Sequence, residues 1–337
     1  MNIKKPRAIR TAAREALAVH QNPQRISLVY AGLSALLSLA VTLISYVLSL
    51  QINEMTGLAN LGNRAVFSTV KSVLPIAQLL FLMAWQMGYQ MCALRFARRR
   101  YVEPMDLKNG FSKFGAVVRT ELLTVAVYIA LALTVMYLSV FIFMALPISD
   151  AFYQIVTPLL DSATLLSNEI VFDEATLMAA AGAMWPVFVI FAVIFAVAAL
   201  PLYYGFRMVP FCVADNSRRS AIAILKESRT MMKGCRLSLF KLDFSFWWFF
   251  LLESLIITVG RLDSILPMMG VVLPWSDTVS YFGFYIISLA GQVALYWAYL
   301  NRVTVSQACF YDAIRPQTPT GGVTLGNIFD LAKDYQE

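Results

Sequence analysis

The chain predicts an all-α fold: a polytopic transmembrane bundle of six helices with amphipathic cytoplasmic surface helices. Three observations predict it. Hydrophobic residues make up 59% of the 337 residues and charged residues only 14%, against roughly 25% charged in soluble domains. The apolar residues gather into long continuous runs. The Lys and Arg residues, 27 in all, fall into every second gap between those runs, except Arg64, Lys71 and Arg261.

The runs are Ser27 to Leu50, Ser72 to Leu94, Leu122 to Pro147, Ala175 to Phe206, Phe244 to Gly260 and Thr278 to Asn301. A helix crosses the hydrocarbon core with about 20 residues, or about 17 at the short end, so each run is long enough. Barrel strands would instead alternate over about 10 residues. In lipid each backbone amide must be satisfied inside its own segment, which leaves helices. Basic loops stay in the cytoplasm, so both termini and the second and fourth loops are read as the inner side of a cell membrane. The net charge of +7 borders membrane runs rather than forming a stripe with interleaved aromatics, which argues against nucleic acid. The first run exceeds the roughly 7 to 15 residues of a cleavable signal.

Residues 1–25 carry Lys4, Lys5, Arg7, Arg10, Arg14 and Arg25, with Ala12, Ala13, Ala16 and Leu17 at helical spacing. This predicts a basic amphipathic helix lying on the inner leaflet, where anionic lipid contributes about 1 kcal/mol per basic residue. Residues 26–312 form the membrane domain. In its second helix Gln86 and Gln90 are four apart and share a face that should avoid lipid. Interhelical hydrogen bonding is the expected role of these glutamines and Gln78, with a substrate path as the alternative. Arg95, Arg98, Arg99 and Arg100 anchor that helix at its inner end. The third loop holds Asp150, Asp161, Glu169, Asp173 and Glu174 without Lys or Arg. Phe152, Ile155, Leu159 and Leu160 in the same loop are spaced for one helical face. Pro186 and Pro201 are kink points in the fourth helix.

In the fourth loop Ala221, Leu225, Ser228 and Met232 form an i, i+4, i+7, i+11 stripe. Asn216 or Ser217 suits the start of this cytoplasmic amphipathic helix and Gly234 its end. Docking on its own bundle or on the inner leaflet is the expected role, with a protein partner as the alternative. The fifth run is short, so Lys241 and Arg261 are expected to snorkel. Ile265 to Trp275 is too short to cross and is broken by Pro267 and Pro274, which predicts an interfacial or re-entrant piece. Residues 313–337 read as a flexible cytoplasmic tail.

Glu253 interrupts the fifth run. A carboxylate there should face the bundle interior, paired or neutral, against Gln78, Gln86, Gln90, Gln292 or Tyr296. Cys92, Cys212, Cys235 and Cys309 all fall on the predicted inner side, without disulfide or zinc spacing.

The run Leu225-Lys226-Glu227-Ser228-Arg229, Met232-Lys233-Gly234 and Leu239-Phe240-Lys241-Leu242-Asp243-Phe244-Ser245-Phe246, with Ala308-Cys309-Phe310-Tyr311, resembles a family of bacterial polytopic membrane proteins known as domain of unknown function 975. Gly110-Phe111, Phe114-Gly115 and Ala13-Arg14 to Leu17 are similar to it as well. The resemblance implies location and fold, and it supplies no activity or catalytic residues.

His20 has no nearby Ser, Cys or carboxylate pattern of a triad, and no Walker, dinucleotide or zinc-protease motif occurs. No catalytic residue, metal ligand or cofactor is therefore expected, and an enzyme is the weakest of three classes. A non-enzymatic membrane organiser or partner-binding protein comes first, and a transporter or permease subunit for a small molecule or peptide second. The expected partners are the bilayer, its anionic inner-leaflet lipids and a protein at the cytoplasmic loops.

Overall fold

The computed structural model describes residues 6–20, 22–54, 61–146, 154, 174–268, 270–271 and 274–315. Among these the chain is helical, without a strand. In order come α1 (Pro6–Ala18), α2 (Pro23–Glu54), α3 (Leu61–Ala97), a 3-10 segment (Pro104–Lys113), α4 (Phe114–Met144) and α5 (Glu174–Phe206). The chain continues with α6 (Val209–Asp215), α7 (Ala221–Met231), α8 (Arg236–Phe244), α9 (Trp247–Val259) and α10 (Leu262–Met268). Last are α11 (Asp277–Leu295), a π turn (Tyr296–Leu300) and α12 (Asn301–Ile314). The expectations for the third loop between α4 and α5, and for the tail beyond Arg315, lie outside the described residues.

Among the described residues five helices are long and apolar enough to cross a membrane: α2, α3, α4, α5 and the continuous α11–α12 rod. The sixth expected crossing is not straight. α8 and α9 meet at 64°, and α9 alone spans about 20 Å at 1.5 Å per residue, short of a core of about 30 Å. The break lies at Ser245–Phe246, where the Ser245 hydroxyl donates to the Leu242 carbonyl at 2.6 Å and competes with the helical ladder. Ile265 to Met268 belong to the short α10, which packs on α11.

The short elements α1, α6, α7 and α8, the 3-10 segment, α12 and the last turn of α3 gather at one end of the long helices and form a cap. The largest fully buried side chains among the described residues all belong to it, including Phe96, Leu107, Met208, Met232, Leu239 and Phe310. The apolar face of α1 is docked on protein: Ile9, Ala13 and Ala16 are at most 2% exposed, packed on α12 with α3 and α8 alongside. The small alanines let α1 approach α12 closely enough that protein covers its apolar face.

Two glycines set the cap's closest approach. A Cβ on Gly88 would stand 1.8 Å from the Leu107 carbonyl oxygen, and one on Gly110 would stand 2.0 Å from the Ala84 carbonyl oxygen. α3 and the 3-10 segment thus touch backbone to backbone, which only glycine permits.

Candidate functional site

α2, α3 and α11 share a seam in which polar side chains recur. Farthest from the cap, Tyr46 and Thr278 hydroxyls lie 3.1 Å apart and Thr42 donates to the Tyr285 hydroxyl at 3.1 Å. Nearer the cap, Gln78 Nε2 donates to Ser38 at 2.9 Å, and Trp85 Nε1 donates to the Tyr30 carbonyl at 3.1 Å. Two cavities follow this line. One of about 380 Å³ is lined by Thr42, Ser45, Ser49, Lys71 and Gln78. The next, about 300 Å³, is lined by Tyr30, Ser34, Ser38, Gln86, Gln292 and Tyr296. The Gln78–Ser38 bond joins their walls.

Toward the cap the seam closes. Tyr30 stacks on Tyr89 with ring centroids 4.6 Å apart. The Tyr89 hydroxyl donates to Asn301 Oδ1 at 2.6 Å, and Asn301 Nδ2 donates to Ser27 Oγ at 3.1 Å and to the Pro23 carbonyl at 2.6 Å. Tyr89, Asn301 and Ser27 are all buried.

Glu253, on α9, stands one hydrogen bond behind the cavity wall. The Tyr296 hydroxyl donates to its Oε1 at 2.5 Å, and Gln292 Nε2 donates to the Tyr296 hydroxyl at 3.3 Å. The π turn begins at Tyr296, a local insertion common at functional sites. Of the expected neighbours, then, Tyr296 reaches Glu253 directly and Gln292 is linked to it through the Tyr296 hydroxyl. Gln78 is taken by Ser38, and Gln90 is half-buried on α3. Gln86 is exposed and lines the cavity instead of being covered by a helix.

The fourth-loop stripe is occupied. Leu225, Ser228 and Met232 are buried as α7 packs on α4, α5 and α6. The Ser228 hydroxyl donates to the Gly205 carbonyl at the end of α5, at 2.9 Å. Ser220, not Asn216 or Ser217, caps the helix by accepting from the Ala223 amide at 3.3 Å. Gly234 takes a φ of 78° just past the C-cap Met232, the left-handed region that favours glycine.

Sequence reasoning missed the cap's charge cluster. Arg98, half-buried at the end of α3, makes paired hydrogen bonds to Asp215 at 2.9 and 3.1 Å and reaches Asp312 at 2.7 Å. Arg315 stands 3.0 Å from Asp215, and the Tyr311 hydroxyl donates to Asp215 at 2.8 Å. Burial alone would raise the Asp215 pKa, but hydrogen bonds and charge from Arg98, with help from Tyr311 and Arg315, outweigh it and hold this carboxyl below its ordinary value.

The chain belongs to the family described as protein of unknown function DUF975, whose match covers residues 1–318. No curated protein and no solved structure matches it. The residues that carry the family likeness also build the cap. Gly110 sits at the backbone crossing, Ser228 holds α5, and Asp243 Oδ1 accepts from Gln307 at 3.0 Å where both are buried.

Proposed function

We propose that this chain is a multi-pass protein of the cell membrane that carries a small polar solute along the seam between α2, α3 and α11 without covalent chemistry. The sequence by itself ranks an organiser first, and one observation reverses that order. Two adjoining cavities of about 380 and 300 Å³ carry hydroxyl and amide side chains on walls they share with apolar residues such as Val41, Leu79, Leu82 and Met83, with a carboxylate held behind Tyr296. Small-molecule sites begin near 300 Å³, and a carboxylate within a candidate span is costly enough that function is its default explanation. The seam runs from Lys71 to the Tyr30–Tyr89 stack, so a solute entering from the far side would meet a closed inner end. Moving that plug would complete passage.

The cap, both termini and the basic loops belong to the cytoplasmic side on this reading, supported by the distribution of Lys and Arg. A membrane-impermeant thiol reagent on intact cells should label a cysteine placed at Asn63 and spare one at Ser217. The opposite labelling would reverse the orientation. The test of transport is uptake of an isotope-labelled mixture of small polar metabolites by proteoliposomes. Accumulation above protein-free vesicles, lost in both Glu253→Gln and Tyr296→Phe while the fold is kept, supports the reading. Folded protein that moves no member of the mixture overturns it.

The organiser reading survives on a different observation. α4 and α5 pack on each other and on the cap and leave Leu133, Tyr137, Trp185 and Val197 exposed, and Lys226 and Arg229 face outward from α7. Those surfaces suit a membrane partner and a cytoplasmic protein, respectively.

A further inference from the structure

The geometry points to a built site for one anionic phospholipid where α1 meets the junction of α2 and α12. It rests on the membrane placement proposed above and is independent of solute transport. A cavity of about 400 Å³ is lined by Arg14, Pro23, Gln24, Asn301 and Arg302, among others, and by no carboxylate. Arg14 and Arg302 are exposed and have no ion-pair partner among the described residues. Arg10 borders the adjoining pocket, which shares Arg14 and Arg302. Two of these cations rest on aromatic faces, Arg10 at 5.0 Å from the Phe246 ring and Arg302 at 5.6 Å from Tyr299. Such stacking fixes a guanidinium while leaving its donors free for an anion.

One helical turn farther from the cap, an apolar groove of about 530 Å³ continues on the same faces of both helices. Leu28 follows Gln24 on α2 by four residues, and Trp297 precedes Asn301 by four on the other wall, so headgroup pocket and groove line up. The groove runs from Leu28 to Leu39 along α2, about 16 Å at 1.5 Å per residue. Half of a core of about 30 Å is one leaflet, so this length fits a single acyl chain. Gly32 and Ala290 keep the groove open, and a Cβ on Gly32 would meet nothing within 4 Å. A phosphate at the arginines and a chain in the groove satisfy both halves with one molecule. Docking α1 through Ile9, Ala13 and Ala16 then has a purpose beyond surface attraction, because it holds Arg10 and Arg14 above the groove.

Native mass spectrometry of delipidated protein titrated with 1-palmitoyl-2-oleoyl phosphatidylglycerol, and separately with the matching phosphatidylcholine, tests this. The expected result is one phosphatidylglycerol adduct at least tenfold tighter than phosphatidylcholine. Two kinds of variant should each weaken it at least tenfold: the double exchange Arg14→Gln with Arg302→Gln, and the groove fillers Gly32→Trp or Ala290→Leu, whichever elutes as folded protein. Inorganic phosphate should not compete. Equal binding of the two lipids overturns the site, as does loss only in the arginine variant, since surface charge would then suffice. Because binding is read in detergent, failure here leaves orientation and solute uptake untouched, and their failure leaves this result standing.

Discussion

In the cap, Phe96, Leu107, Met232, Leu239 and Phe310 are at most 1% exposed, whereas Leu36, Phe141 and Ile287 on the long helices are 65%, 72% and 60% exposed. On the membrane placement proposed above, the difference reflects two solvents. Burying a large side chain away from water contributes about 1.5 to 3 kcal/mol, so a segment outside the membrane closes into a dense core. Between helices in lipid that drive is missing, and packing with modest hydrogen bonds must serve. The cap therefore clamps the ends of α3, α4 and α5, while the long helices touch along narrow seams. A bundle held firmly at one end and loosely along its length suits the opening of the seam that the proposed transport requires.

Substitutions that break or sharpen this contrast can be ranked. The largest effect is expected at the backbone crossing. Gly88→Ala and Gly110→Ala force a methyl into space occupied by carbonyl oxygens and should each cost about 3 kcal/mol or more, read as loss of folded protein in detergent denaturation. Gly283→Ala on α11, where a Cβ meets nothing within 4 Å, should leave stability unchanged or raise it by up to about 1 kcal/mol. Equal losses at all three positions would erase the distinction.

Arg98→Ala comes next. It leaves Asp215 and Asp312 facing each other without their shared cation, at about 2 to 3 kcal/mol given their partial exposure. The sign with pH follows from the depressed Asp215 carboxyl. Its contribution is fully present above the unfolded value of about 4 and is lost as pH falls through the lower folded-state value. Wild-type stability should thus decline more steeply than that of Arg98→Ala as pH falls from about 4 to the lower folded-state value, in melts at stepped pH.

Ser228→Ala removes the donor to the buried Gly205 carbonyl and should cost about 1 to 2 kcal/mol, with α5 loosened in hydrogen exchange. The smallest effect belongs to the seam. Gln78→Leu deletes its bond to Ser38 for about 0.6 kcal/mol, measured by the same denaturation. A seam substitution that costs as much as Arg98→Ala would show that the long helices are not loosely held.

The sequence by itself determined the helices, because long apolar runs satisfy their backbone only within themselves. It also determined the family, from the fourth-loop run and the Gly110 pair, and the amphipathic stripe through Leu225, Ser228 and Met232, since helical spacing is a local property. Tertiary structure alone decided which groups meet. Arg98, Asp215 and Asp312 come together across more than a hundred residues, so no local spacing announces them. Glu253 bonds Tyr296 and not Gln86 because the bend between α8 and α9 and the π turn set where each side chain points. The apolar face of α1 goes to α12 and not to lipid for a similar reason: periodicity specifies that a face must be covered, and only the packed neighbours decide by what.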